Sequence, residues 1–145
     1  MNILVAVDLS PASEKVVEAA RGIAELTGAS LYVLHVVETE PGLTGIETDP
    51  ELEQAQVARD FPLENRGVQA LVKKLQDAGL DATTWLVRGP ALKTTLKEAT
   101  RLEAGLVVVG SHGHGAVYDV LIGSYSAGII RKLKLPILVV PVLDT

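Results

Sequence analysis

The stretch "GLVVVGS", residues 105–111, decides the fold class. Its centre is one leucine followed by three valines, and valine is β-branched and favours strands. The whole apolar run has the length of a strand and is too short for a helix. Four more apolar runs of similar length lie at 2–8, 30–38, 81–89 and 135–142. The run at 81–89 is more mixed than the others, so we expect that strand at an edge of the sheet.

Helical patterns fill the gaps between these runs. Apolar side chains recur at helical spacing in 10–28, 62–78, 90–103 and 124–134. We expect Ser10 to cap the first helix, with Pro11 at its first position and Gly28 just past its end. Strands separated by helices run parallel and are joined by right-handed crossovers. The sequence therefore predicts a single α/β domain, 1–145, with a doubly wound, Rossmann-like five-stranded parallel sheet.

The segment 39–62 is less regular than the rest. Two turn clusters precede a short helix, which Asp49 would cap with Pro50 at its first position, and Pro62 should break that helix. Two interpretations stay open. The segment is either a connection with its own short helix or a mobile cover over a site near the end of the second strand.

Composition and charge exclude several classes of protein. Of the 145 residues, 48% are hydrophobic and 3% aromatic, and this excess of aliphatic side chains is typical of buried parallel strands. The net charge of −5 argues against binding nucleic acid or an anionic membrane surface. The absence of cysteine excludes disulfides and thiolate metal sites. No apolar run is long enough to span a membrane and no secretory signal is visible, so we expect a cytoplasmic protein.

A glycine-rich loop follows the fourth strand. The stretch "GSHGHGAVYDVLIGS", residues 110–124, has glycines at 110, 113, 115 and 123. In parallel sheets, ligands bind at the carboxyl ends of the strands where the strand order reverses. The fourth strand ends at Gly110 and the first at Asp8, and in the common topology these strands are neighbours. We therefore expect the loop and Asp8 to face one crevice.

The chemistry of this loop suits a phosphate group. Glycine can adopt positive φ and lets backbone N–H groups approach a ligand, and consecutive amides form an anion-binding nest. The next helix starts near Gly123, where its first N–H groups lack intrahelical partners and its dipole is positive. Ser124 and Ser126 would add hydroxyl donors.

The spacing G-x2-G-x9-G-S, from Gly110, Gly113, Gly123 and Ser124, is neither a dinucleotide fingerprint nor a P-loop. It resembles the ATP-binding motif of the universal stress protein family. The stretches "ILVAVDLSPAS", "LYVLHVVE" and "LPILVVPV" resemble strands of that family, so the resemblance covers essentially the whole chain. It implies a stress-related regulatory protein that binds ATP, ADP or AMP between strands 1 and 4, and a homodimer paired through the last strand, 136–142.

The resemblance also implies roles for individual residues. Asp8 would lie by the ribose or a phosphate-bound Mg²⁺ or Mn²⁺, and Val36 would line the adenine pocket. Val109 and Gly110 would contact the sugar, and the phosphates would be held by Gly113, Gly123, Ser124, Tyr125 and Ser126. The sequence departs from the family at Ala6, also assigned to the site, where some nucleotide-binding members have proline. It departs again at Tyr125, where a small aliphatic residue is common. Tyr125 would either crowd a triphosphate or donate its hydroxyl to it.

Three histidines have structural as well as functional interpretations. His112 and His114 suggest a metal or adenylyl-transfer site, but we expect exposed loop residues because no third ligand is evident. His35 lies inside an apolar strand, where we expect a hydrogen-bonded core histidine.

Two other functions remain open: a slow ATPase, although no P-loop lysine is present, and a dimeric interaction protein that works without nucleotide. The apolar edge at 136–142 favours a homodimer, because an unpaired edge invites aggregation and prolines 136 and 141 protect it only in part.

Overall fold

The computed structural model of the protein describes residues 1–38, 49–112 and 122–142. Strands and helices alternate as predicted, with two consecutive helices after the second strand. They are β1 (Asn2–Ala6), α1 (Ser13–Thr27), β2 (Ser30–Val37), α2 (Pro50–Asp60), α3 (Pro62–Asp77), β3 (Ala82–Arg88), α4 (Ala91–Arg101), β4 (Ala104–Gly110), α5 (Ser124–Lys132) and β5 (Ile137–Val140). The five strands form one parallel sheet in the order β3-β2-β1-β4-β5. This order confirms the doubly wound fold and the edge position of the third strand.

Each face of the sheet carries its own hydrophobic core. Alternate residues of β1 point to opposite faces, so Ile3 and Val5 join one core and Leu4 joins the other. Helices α1, α2 and α3 cover the first core, and α4 and α5 cover the second. Because both faces of the sheet are buried, β1, β4 and β5 are nearly continuous apolar runs without polar alternation, whereas β3 at the edge is more mixed. In the described part of the chain, no helix has the length and apolar character needed to cross a membrane.

Helix α1 begins two residues later than the sequence predicts, at Ser13 and not at Pro11. Ser10 is not its N-cap: the Ser10 amide donates to Asp8 Oδ1 (2.9 Å), and the Ser13 amide donates to the Ser10 carbonyl (3.0 Å). The carboxylate of Asp8 thus holds a turn ahead of the helix, whose N-cap is Ala12 without a side-chain hydrogen bond. At the other end, Gly28 has φ 73° and ends the helix as expected.

The short helix between β2 and α3 has the predicted boundaries. Asp49 caps α2 by accepting from the Glu51 amide (3.0 Å), and Pro50 occupies the first turn. The helix ends at Phe61, whose amide donates to the Val57 carbonyl (2.8 Å), because Pro62 starts α3. The preceding residues 39–48 lie outside the described part, so the cover interpretation of 39–62 stays a prediction there.

Helix α2 also protects one edge of the sheet. On β3, the Gly89 amide donates to the Val37 carbonyl, so by alternation Leu86 directs its amide away from β2. Gln54 of α2 accepts from this Leu86 amide with its Oε1 (3.4 Å). The Leu86 amide, which could otherwise donate to another strand at this edge, is therefore already hydrogen-bonded to a side chain of α2.

The opposite edge is formed by β5, which is shorter than the run 135–142. Pro136 and Pro141 flank it, and all four of its residues are half-buried. Val107 donates to the Pro136 carbonyl and Ser111 to the Val140 carbonyl, so the intervening odd residues, 137 and 139, direct their backbone groups away from β4. No described residue donates to or accepts from that outer side of β5 through the backbone.

Candidate functional site

A crevice of about 890 Å³ opens at the carboxyl ends of the strands, where β1 and β4 lie side by side. The strand order reverses at this point, as the sequence predicts, so chain segments leave the sheet in opposite directions and leave a gap. Its walls come from the ends of β1, β2 and β4 and from the starts of α1, α4 and α5.

Most residues that the sequence assigned to the site lie on these walls. They are Ala6, Asp8, Val36, Gly110, Gly123, Ser124, Tyr125 and Ser126. Val109 does not line the crevice, because its side chain is fully buried in the core beneath α4 and α5. Gly113 and His114 lie outside the described residues.

Asp8 is held in place by the start of α1. Its Oδ1 accepts from the Ser10 amide (2.9 Å) and from the Ser13 hydroxyl (3.2 Å). The next residue, Leu9, has φ 64°, a left-handed conformation that is uncommon outside glycine. Gly67 of α3 makes room for the Leu9 side chain, since an added Cβ would lie 3.2 Å from Leu9 Cδ1. This sharp turn, which sequence reasoning missed, places the carboxylate at the crevice.

The first turn of α5 presents open backbone amides. Gly123 is its N-cap, and the first bond inside the helix runs from the Ala127 amide to the Gly123 carbonyl (2.9 Å). The amides of residues 124–126 are therefore at the end where helical N–H groups lack intrahelical partners and the dipole is positive. Gly123 has φ −70°, so its backbone is accessible to any residue, and an added Cβ would meet only ordinary contacts at 3.6 Å.

The glycine at the end of β4 has a packing role. Neither Gly110 nor Gly123 adopts positive φ, so neither uses the left-handed conformation that glycine allows. A Cβ on Gly110 would lie 3.3 Å from methyl groups of both Val16 and Val142. Gly110 thus lets the start of α1 and the segment after β5 approach the strand end closely.

Two side chains of this turn use their hydroxyls inside the protein. Ser126 donates to the Gly110 carbonyl (2.6 Å), which ties α5 to β4. The Tyr125 hydroxyl lies 2.7 Å from Thr95 Oγ1. Because Thr95 already donates to the Ala91 carbonyl (2.8 Å), Tyr125 is the donor of that pair. The ring packs against the core, and burial raises the pKa of Tyr125 to about 12.

The far end of the crevice is built by β2. His35 Nδ1 lies 2.9 Å from the Val7 carbonyl, which can only accept, so Nδ1 carries a proton. His35 is thus hydrogen-bonded as expected, although it lies at the crevice wall. Pairing of β2 with β1 ends at Leu34, while pairing with β3 continues to Val37. By strand alternation, the peptide groups of Val36 face the crevice side.

Sequence reasoning missed the residues that close this end. Phe61 and Glu64 line it from the junction of α2 and α3, together with Glu38 after β2. The break at Pro62 was visible in the sequence, but its position over the end of β2 depends on how α2 packs.

The structure corrects the prediction made for one histidine. His112 was expected to be exposed, but it is 9% exposed, and its Nδ1 lies 3.0 Å from the Ser111 hydroxyl oxygen. Ser111 in turn accepts from the Val142 amide (3.2 Å), so this residue pair joins β4 to the chain after β5.

A metal ion at the described walls of the crevice would need ligands beyond the side chains described there. Among the described residues there is no group of three or more His, Cys, Asp or Glu that could hold one. Asp8 supplies one carboxylate at the crevice. Since Mg²⁺ usually takes one or two carboxylates and completes its shell with phosphate oxygens and water, Asp8 fits a cation that arrives with a nucleotide.

Comparison with known proteins agrees with this arrangement. Residues 1–141 match the universal stress protein family. A universal stress protein of Bacillus subtilis is 31% identical over 144 residues, covering 96% of this chain and 97% of the relative.

Solved structures show the same fold. Protein MJ0577 of Methanocaldococcus jannaschii aligns with a TM-score of 0.78 and 21% identity, covering 99% and 97% of the two chains. A universal stress protein in complex with cAMP has a TM-score of 0.72 and 22% identity, with 99% and 98% covered. One from Archaeoglobus fulgidus in complex with dAMP has a TM-score of 0.66 and 22% identity, with 97% of each chain covered. On the family match and the whole-length relative, the chain belongs to the universal stress protein family.

Proposed function

We propose that the protein is a cytoplasmic, stress-related regulatory protein that binds ATP, ADP or AMP in the crevice between β1 and β4. The observation that carries this proposal is the pairing of open α5 amides with Asp8 across one crevice of about 890 Å³. Ligand pockets for small molecules commonly have volumes of roughly 300–1,000 Å³, so the space suits a nucleotide. The complexes of two related folds with cAMP and dAMP support an adenine nucleotide as the class of ligand.

The described walls suggest how the nucleotide lies. The phosphates would accept from the amides of residues 124–126, with Gly113 completing the cradle. The ribose would lie between Asp8 and the backbone of residues 109 and 110. The adenine edge, which offers a donor beside an acceptor, would pair with the Val36 peptide groups. Mg²⁺ or Mn²⁺ would bind between Asp8 and the phosphate oxygens.

We further propose that the protein is a homodimer through 136–142 and that nucleotide binding is coupled to this interface. The segment after β5 reaches the crevice, since Val142 lines it and the Val142 amide donates a hydrogen bond to the Ser111 hydroxyl at the end of β4. A ligand that moves the β4 end would therefore act on the chain next to β5. This contact is the support for a homodimeric switch.

The test is isothermal titration calorimetry. The purified protein, stripped of bound nucleotide, is titrated with ATP and with AMP in the presence of Mg²⁺, and the dissociation constants are measured. We expect Gly123→Val to weaken binding by at least about tenfold, because a branched side chain would stand where phosphate meets the α5 amides and remove a charge-assisted hydrogen bond. The matched control is Gly22→Val, since Gly22 is exposed in the middle of α1 with nothing within 4 Å of an added Cβ. Absence of adenylate binding by the unmodified protein, or equal affinities of the two variants, would contradict the proposal.

A further inference from the structure

We propose that the base of the nucleotide stacks on the ring of Tyr125, an inference that rests on the proposed function. The crevice then holds its ligand at two places, with the phosphate on the α5 amides and the base on an aromatic side chain. Tyr125 is in this way a specificity-determining residue, which selects ligands that carry a planar base.

The Tyr125 side chain belongs to the wall of the crevice. Tyr125 is half-buried and lines the crevice, and its ring packs against the core that includes Ala6, Leu34 and Val36. Those three residues line the crevice too. Burial is the main cause of the raised pKa of Tyr125, and the nearby Asp8 carboxylate adds to it, which places the phenol within electrostatic reach of the acid at the crevice.

The ring extends from the phosphate position toward the base position. Tyr125 is the second residue of α5, and its hydroxyl reaches Thr95 of α4 at 2.7 Å. Helix α4 packs on β2, which ends in the crevice at Val36 and Val37. A nucleotide with its phosphate on the α5 amides and its base beside Val36 therefore runs in the same direction as the Tyr125 side chain.

The ring is fixed at both ends before a ligand arrives. Its hydroxyl donates to Thr95, and Thr95 donates in turn to the carbonyl of Ala91 (2.8 Å), which itself lines the crevice. A side chain that is already held in place loses little conformational entropy on binding. Because the hydroxyl is engaged inside the protein, Tyr125 offers a ligand its aromatic surface.

The choice of Tyr125 over the other phenyl ring of the wall follows from the two cores. Phe61 also lines the crevice, but it packs against the core beneath α1, α2 and α3. Val36 and Tyr125 both pack against the core beneath α4 and α5, so a base beside Val36 meets Tyr125. Stacking of a base on an aromatic side chain changes affinity by roughly 5- to 150-fold.

The experiment compares AMP with ribose 5-phosphate, which has the same sugar and phosphate but no base. Both are followed by NMR titration, which also measures weak binding. We expect the unmodified protein to bind AMP more tightly than ribose 5-phosphate. Tyr125→Leu should weaken AMP binding on the order of tenfold, because the stacking surface is lost. It should affect ribose 5-phosphate much less, since the backbone amide of residue 125 remains.

Two further variants separate stacking from a structural role. Tyr125→Phe keeps the ring and should restore most of the AMP affinity that Tyr125→Leu loses, although the hydrogen bond to Thr95 is gone. The matched control, Tyr32→Leu, removes a ring that packs against the same core but does not line the crevice. It should lower stability and leave both affinities unchanged.

A direct readout comes from the unmodified protein with bound AMP. The adenine ring protons should shift upfield and show nuclear Overhauser contacts to the Tyr125 ring. The inference is overturned if these contacts are absent, if Tyr125→Leu weakens both ligands equally, or if Tyr125→Phe loses as much AMP affinity as Tyr125→Leu. Failure of the unmodified protein to bind either AMP or ribose 5-phosphate would instead remove the proposed function.

Discussion

Tyr125 shows how one side chain at the crevice serves the protein interior. Its ring joins the core under α4 and α5, and its hydroxyl donates to Thr95. The backbone amide of the same residue stays at the open end of α5. The sequence suggested that a tyrosine here would crowd a triphosphate or donate to it, whereas its hydroxyl is directed to α4.

Replacing Tyr125 with phenylalanine should change the pH dependence of stability. Burial raises the pKa of Tyr125 in the folded state from the ordinary tyrosine value of 10.0 to about 12. The folded state therefore holds this proton more tightly, and the resulting stability is present below pH 10 and is lost as pH rises toward 12. Across that pH range, the free energy of unfolding should fall by roughly 2 to 3 kcal/mol less for Tyr125→Phe than for the unmodified protein.

Urea unfolding of both proteins between pH 8 and pH 12 would measure this difference, since the remaining titrating groups are shared. At neutral pH the variant should lose about 1 kcal/mol with the hydrogen bond to Thr95. Parallel stability curves would show that the tyrosine proton is not held by burial.

The sequence indicated backbone roles at the site better than side-chain partners. The spacing of Gly110, Gly123 and Asp8 follows from strand ends and helix starts, and these are set by local pattern. The partners of Ser126 and Tyr125 lie 16 and 30 residues away along the chain, so no local pattern could indicate them. His112 was misjudged for the same reason, because its burial depends on how the chain packs around the end of β4.

At the scale of elements, apolar periodicity predicted all five strands and the helices between them. The predicted start of α1 was wrong because Asp8 accepts a hydrogen bond from the Ser10 amide and the helix begins only after that turn. Residue preferences at helix caps do not include this side-chain effect. The edge position of β3 was correctly predicted from its mixed composition. The lengths of β5 and of the run 135–142 differ because prolines 136 and 141 cannot continue the ladder.

Two glycines inside helices should respond differently to alanine. Gly22 lies in the middle of α1 with no atom within 4 Å of an added Cβ, so Gly22→Ala should raise the free energy of unfolding by about 0.5–1 kcal/mol. Gly128 of α5 has Leu92 Cδ2 at 2.6 Å from that position. The same helical gain is therefore offset there by displacement of Leu92, and we expect Gly128→Ala to be less stable than Gly22→Ala.

Chemical denaturation of the two variants beside the unmodified protein would test this pair. Gly128→Ala reports how tightly α4 and α5 are packed, and Gly22→Ala is its control for helix propensity. Equal gains would mean that Leu92 moves aside without cost.

At the scale of the whole molecule, the alternation of elements was sufficient to predict the parallel sheet and the neighbouring positions of β1 and β4. It was not sufficient to show that α2 packs along β3. Glu98 of α4, which is 1% exposed, accepts from Trp85 of β3 (3.2 Å) and lies 3.2 Å from Arg101, which is itself 3.8 Å from Glu53 of α2. These contacts join α2 to α4 and β3, from which α2 is separated along the chain by α3.

The dimer proposal leads to a prediction about the backbone of β5. Val139 directs its amide away from β4, so Val139→Pro removes a donor from the open edge while leaving the ladder to β4 intact. We expect the unmodified protein to sediment as a dimer and Val139→Pro to dissociate to a folded monomer. Leu138→Pro is the matched control, since the Leu138 amide faces β4 and its loss should lower stability.

Sedimentation velocity with a circular dichroism spectrum for each protein would measure both outcomes. A monomeric unmodified protein, or a Val139→Pro variant with an unchanged dimer dissociation constant, would contradict pairing through β5.

The Gln54 side chain on the Leu86 amide has a consequence for stoichiometry. If two copies pair through β5 as proposed, their sheets would form one of ten strands, and each outer boundary would be a β3 whose Leu86 amide is already bound by Gln54 of its own α2. That hydrogen bond would disfavour the addition of a third copy at β3, so we expect assembly to stop at two. Evolution of a longer fibre from this fold would first have to displace α2.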